Sequence, residues 1–170
     1  MPGQAFETMK VLIVEDNLHM RGLLKSLLTT IGVREILEAA NGAAALELLR
    51  DRKCDLILSD LAMKPVDGLE FTREVRTSRQ SANPFVPITM ITGHTERKQV
   101  QAARDAGVTE LVAKPVTAKS LYMRIAEIIE RPRAFVRCES YFGPDRRRRN
   151  IENYAGPWRR QEDFKDIAVK

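Results

Sequence analysis

Between Lys10 and Glu130, short apolar runs alternate with longer stretches of helical period. The runs near 10–14, 34–38, 55–59, 86–91 and 109–113 are apolar at nearly consecutive positions, the pattern of strands buried on both faces. Helical spacing fits about 18–30, 42–50, 68–76, 95–106 and 117–130, so the chain reads as five rounds of strand and helix. Met20, Leu24, Leu27 and Leu28 share one stripe of the first such helix, and Leu121, Ile125, Ile128 and Ile129 share one stripe of the last. Each stripe is expected to cover a face of the sheet. Gly32, Gly42 and Gly107 mark helix exits or turns, and Pro132 stops the fifth helix.

This alternation gives particular polar residues a common address. Glu15 and Asp16 follow KVLIV, Asp60 follows CDLILS, Thr92 follows PITMI, and Lys114 follows VTELVA. In an open parallel sheet the strands' carboxyl ends line one edge, so these side chains converge there. Clustered carboxylates with one amine and one hydroxyl suit a phosphoryl-accepting aspartate beside a divalent cation: hard oxygens hold Mg²⁺, and Asp60 is the candidate nucleophile. Taken singly, each residue has a plainer reading. Asp16 or Asn17 can cap the following helix, Asp60 can be a turn acid, Thr92 a β-branched strand residue and Lys114 a solvated lysine. The joint spacing favours the site. His94 reads as a loop or helix-start residue, and His19 as exposed.

Composition changes the picture in one place. Of 28 Lys/Arg and 23 Asp/Glu, residues 131–170 hold 11 and 6, leaving 17 and 17 for residues 1–130, so the whole excess of +5 lies in the last forty residues. Anion binding is therefore a question about the tail, not the body. Cys54 and Cys138 form no disulfide framework and read as free thiols of a reducing compartment. The start, MPGQAFETMK, has no apolar signal-like stretch, and no run approaches a membrane span, so a cytoplasmic protein is expected.

The ordered set LIVEDN, ILSDLAMKPVDGLE, PITMITG and LVAKPV resembles the receiver domain of two-component response regulators over about residues 9–130. The resemblance implies a flavodoxin-like, doubly wound five-stranded parallel sheet of order 2-1-3-4-5, with residues 1–8 as an N-terminal extension and 131–170 as a C-terminal one. It implies a stand-alone regulator, a phosphoacceptor and not an enzyme. Asp60 would be phosphorylated by a histidine kinase or histidine phosphotransfer protein in a phosphorelay. It further implies Mg²⁺ held by Asp16, Asp60 and the Ala62 carbonyl, with Glu15 acting through a metal-bound water. Lys114 and Thr92 would bind phosphoryl oxygens. A partner would dock on the face made by the fourth helix, fifth strand and fifth helix of that count, with Lys114–Pro115 cis. Two departures concern the switch: Leu111 stands where the family often carries Tyr or Phe, and Pro65 falls one residue late in MKPVDG.

The tail carries YFGPDRRRR and YAGPWRR, two aromatic, Gly-Pro and arginine units. Arginine forks suit phosphate or guanine acceptors, and aromatic rings stack on bases or guanidinium planes. Arg146, Arg147, Arg148, Arg149, Trp158, Arg159 and Arg160 are the candidate ligand contacts. Arginine-rich tails of this kind are similar to those of a bacterial group of receivers that bind cyclic di-GMP. The alternative function is thus a tail-driven adaptor for cyclic di-GMP or another polyanion. The plainer reading is a solubilising extension whose aromatics pack on the body. The tail is too short for an appended helix-turn-helix domain and shows no evident reading helix, so no DNA-binding domain is expected.

Overall fold

The computed structural model describes residues 2–93, 95–146 and 167–169. The elements run α1 (Pro2–Thr8), β1 (Lys10–Val14), α2 (Leu18–Thr30), β2 (Glu35–Ala39), α3 (Gly42–Asp51), β3 (Leu56–Asp60), α4 (Gly68–Thr77) and β4 (Ile88–Thr92). They continue with α5 (Arg97–Ala106), β5 (Glu110–Ala113), α6 (Ala118–Glu130), β6 (Phe135–Arg137), β7 (Phe142–Pro144) and β8 (Ile167–Val169). β1 to β5 form one parallel sheet of order β2-β1-β3-β4-β5, the expected order.

Alternation along the strands divides the core. Val11 and Ile13 of β1 face a cluster with Leu24, Leu28, Leu121 and Ile125, so α2 and α6 cover that side. Leu12 and Val14 face Ala45, Phe71 and Val75, so α3 and α4 cover the other. Met90 extends this second side to Ala103 of α5. Local chemistry sets the helix ends: the side chains of Asn17, Asn41, Asp67 and Thr117 each accept a backbone N–H of the first turn. Gly107 closes α5 at φ +100° and Gly32 follows α2 at φ +109°, both left-handed. Gly42 is a helix start and not an exit: a Cβ there would sit 2.8 Å from Val66 Cγ1.

Both ends of the chain carry secondary structure of their own. Residues 2–8 form a helix whose Phe6 is fully buried in the α2/α6 cluster, its ring stacked 5.2 Å from Tyr122. Residues 135–144 form an antiparallel hairpin, with β8 paired to the free side of β6. Phe135 and Phe142 pack on Phe85 at 5.1 and 5.4 Å between centroids, and Tyr141 is buried. The aromatics of the proximal tail are thus docked on the body. Beneath them lies Arg76 of α4, only 3% exposed, donating to the carbonyls of Gly107, Pro84 and Val86 at 3.0, 2.8 and 2.6 Å.

Candidate functional site

The sheet's carboxyl edge brings the expected residues together. Asp60 is the last residue of β3 and Thr92 the last of β4, while Glu15 and Lys114 directly follow β1 and β5. Asn17 takes the cap of α2, its Oδ1 accepting from Met20 N at 2.9 Å, and this leaves the exposed Asp16 carboxylate out of the capping role. One carboxylate oxygen from each of Glu15, Asp16 and Asp60 lies within 4.8 Å of the others.

Lys114 Nζ is 2.9 Å from Asp60 Oδ1 and 3.8 Å from Glu15 Oε2. Glu15 is 1% exposed; its Oε1 accepts from Asn17 N at 3.1 Å, whereas Oε2 is buried with no hydrogen-bond donor. Burial is the main reason its carboxyl is pushed above the ordinary range, with the Asp60 charge adding to the effect and Asn17 and Lys114 opposing it. One lysine thus serves two buried acids with the Asp16 carboxylate beside them, and a buried Glu15 oxygen has no hydrogen-bond donor. Both features fit a hard divalent cation, which takes oxygen ligands and relieves carboxylate repulsion.

The loop after Asp60 is held close. Gly68 N donates to Leu61 O at 2.9 Å, and a Cβ on Gly68 would fall on the Asp60 carbonyl oxygen, so only glycine lets α4 start there. Ala62 is exposed on this loop. Lys114–Pro115 is cis as the resemblance implied, and Lys64–Pro65 is cis as well. Leu111 is partly buried against Met90, Ala103 and Val108. His19 is exposed, and His94 lies outside the described residues.

Among the tail candidates, Arg146 is committed to the body, stacked 4.1 Å from the Tyr141 ring centroid and paired with Asp105 Oδ1 at 3.0 Å. Arg147, Arg148, Arg149, Trp158, Arg159 and Arg160 lie outside the described residues. The sequence reading missed Arg104, Arg124 and Arg133, which with Arg146 line a cleft of about 230 Å³ between α5, β5, α6 and the hairpin. It also missed Arg21, Glu38 and Arg76. Each is a charged residue on an otherwise regular helix or strand, and periodicity alone marks such a residue as solvated.

Comparison with known proteins agrees with this arrangement. The response regulator receiver domain matches residues 11–126, more than half of the chain. Chemotaxis protein CheY of Pseudomonas aeruginosa is 36% identical over 123 residues, covering 72% of this chain and 98% of that protein. The crystal structure of Vibrio cholerae chemotaxis protein CheY4 superposes with a TM-score of 0.65 at 31% identity, covering 71% of this chain and 98% of that one. The receiver domain of the histidine kinase CKI1 from Arabidopsis thaliana, solved as a complex with Mg²⁺ and BeF₃⁻, gives a TM-score of 0.63 at 26% identity, covering 74% and 93%. Among the described residues no helix is long and apolar enough to cross a membrane. With its sheet order, its acidic edge and its match through residues 11–126, the chain belongs to the response regulator receiver family, whose members are phosphoacceptors.

Proposed function

We propose that the chain is a cytoplasmic response regulator whose Asp60 accepts a phosphoryl group from a histidine kinase or histidine phosphotransfer protein. Residues 9–130 are taken as the receiver domain, 1–8 and 131–170 as its extensions. The observation that carries the reading is Lys114 Nζ at 2.9 Å from Asp60 Oδ1, beside a buried carboxylate oxygen without a donor. An Asp60 oxygen attacks the phosphohistidine phosphorus; an O–P bond forms as the N–P bond breaks, and the imidazole nitrogen keeps the electron pair. Lys114 leaves the carboxylate for a phosphoryl oxygen, and the Thr92 hydroxyl donates to another. Glu15, Asp16, Asp60 and the Ala62 carbonyl are the groups to hold Mg²⁺, which supplies charge neutralisation for the phosphoryl oxygens.

The switch then works through Thr92 and the partner face of α5, β5 and α6, with Leu111 repacking as an aliphatic residue where the family often turns an aromatic ring. Labelling with a phosphohistidine donor or acetyl phosphate tests this. Peptide mapping is expected to place the label on Asp60, with loss in Asp60→Asn and in excess EDTA. Label retained in either case overturns the assignment.

A second reading, the polyanion-binding adaptor, is supported by the cleft that Arg104, Arg124, Arg133 and Arg146 line. Glu110 already pairs there with Arg133 at 2.6 Å and Arg124 at 3.5 Å, so an anion has to compete with it. Cyclic di-GMP titrated at about 0.15 M salt, where unspecific attraction is screened, separates the readings: binding lost on deletion after Arg133 supports the adaptor.

A further inference from the structure

Behind the acidic edge, Arg21 of α2 makes a contact that helix periodicity does not require. Its Nη1 donates to the Glu15 carbonyl oxygen at 2.8 Å, reaching back across the loop between β1 and α2. Its Nε stands 3.3 Å from Glu38 Oε2 on β2, and Glu38 Oε1 receives Lys25 Nζ at 2.5 Å. The Arg21 side chain is 17% exposed. On the other side, Glu15 N donates to the carbonyl of Ala39, the residue after Glu38, at 3.1 Å. The peptide joining Glu15 to Asp16 carries the carbonyl that Arg21 grips, so one guanidinium sets the plane from which both acids project.

Charge allocation matters as much as geometry. Arg21 spends its charge on Glu38 and its donor on a backbone oxygen, and the ion pairs of the described residues join it to neither Glu15 nor Asp16. A guanidinium free of Glu38 would have the reach and charge to pair with those carboxylates and compete with a cation. We infer that Arg21, seated by Glu38, is a positioning residue that fixes the Glu15–Asp16 peptide for divalent-cation binding. This rests on the cation reading of the acidic edge.

Replacing Arg21 gives opposite signs for the two roles it can have. Losing a positive charge beside a cation site strengthens cation binding by through-space electrostatics. Losing the group that orients the ligands weakens it, roughly tenfold for supports of this kind. The test titrates Mn²⁺, read as loss of the free-ion electron spin resonance signal and competed with Mg²⁺, into the full chain as wild type, Arg21→Met and Arg21→Lys. Each is measured well below its own unfolding midpoint. The expected result is a dissociation constant raised about tenfold in Arg21→Met, with Arg21→Lys in between because one ammonium keeps the charge and serves one partner only. A constant that is unchanged or lower in Arg21→Met overturns the inference. If Arg21→Met does not fold, Arg21→Lys decides: equality with wild type overturns it, and weaker binding at wild-type stability supports it. Wild type failing to bind Mn²⁺ or Mg²⁺ at all would instead remove the cation reading itself, and the inference with it.

Discussion

The two ends of the parallel sheet treat buried charge in opposite ways. At the carboxyl edge, Glu15 and Asp60 are 1% and 6% exposed, they share one lysine, and a Glu15 oxygen has no donor. At the opposite edge Arg76 is as deeply buried and its Nη2 also lacks a hydrogen-bond partner, but it faces no carboxylate among the described residues: three neutral carbonyls accept from its Nε and Nη1, and the Phe135 ring lies 5.0 Å from its guanidinium carbon. Burial and one unpartnered atom therefore do not separate a working charge from a structural one; the crowding of like charges round it does. A charge held among neutral carbonyls rigidifies what surrounds it, whereas carboxylates crowded round one lysine hold free energy that a cation can release. Helix α4 spans both regimes, starting at Gly68 against the Asp60 carbonyl and carrying Arg76 in its last turn.

The sharpest way to break this contrast is Arg76→Met. The three carbonyls would lose their donor and the hairpin its cation–π contact, and leaving buried acceptors unpaired costs about 1–3 kcal/mol each before relaxation. A net loss of about 3 kcal/mol is expected in urea unfolding, with Mn²⁺ affinity unchanged below the transition. A variant as stable as wild type would show that the hairpin and the β4 lead-in do not depend on this charge.

The opposite sign is expected at the carboxyl edge. Burial raises the folded-state pKa of Glu15 above its ordinary 4.5, so between those two values the folded chain holds a proton that the unfolded chain has released. The metal-free protein should therefore lose stability as pH rises through that interval, and the Glu15→Gln variant, which cannot titrate, should not show this component. Above the interval Glu15→Gln is expected to be the more stable protein without metal. Saturating Mg²⁺ should reverse the order, because the cation binds the wild-type carboxylate and stabilises the folded state by mass action. Denaturant midpoints at several pH values, with and without Mg²⁺, measure it; a metal-free Glu15→Gln no more stable than wild type at high pH would contradict the under-satisfied state assigned to Glu15.

The contrast also marks what the sequence can show. Periodicity fixes the five strands within about two residues, since Val11, Leu12, Ile13 and Val14 have to bury both faces, and spacing alone carries Glu15, Asp16, Asp60, Thr92 and Lys114 to one edge. Residues that act across elements leave no such trace. Arg21 reaches a carbonyl six residues back and a glutamate on β2, and Arg76 reaches Gly107, 31 residues on. Phe6 precedes the first strand in a segment too short to show a helical period, so nothing in its spacing announces that it fills the space between α2 and α6.

The smallest effect probes whether the hairpin and the body are separate cooperative units. Cys54 is 7% exposed beside the start of β3, and burial, aided by the Asp55 charge, pushes its thiol up to about 12. At pH 8 roughly one molecule in ten thousand carries that thiolate even if reagent can reach it. Cys138 is half-buried at the hairpin turn, where its N–H donates to the Tyr141 carbonyl at 2.8 Å. A disulfide reagent should therefore label Cys138 first and Cys54 only as the body opens. Gly143→Ala would put a Cβ 2.5 Å from the Tyr141 hydroxyl and 2.9 Å from the Gly107 Cα, so it should loosen the hairpin and speed Cys138 labelling several-fold while leaving the Cys54 rate alone. If both rates rise together, the hairpin and the sheet open as one unit, and the Arg76 edge contributes to the rigidity of the whole molecule instead of to its own corner.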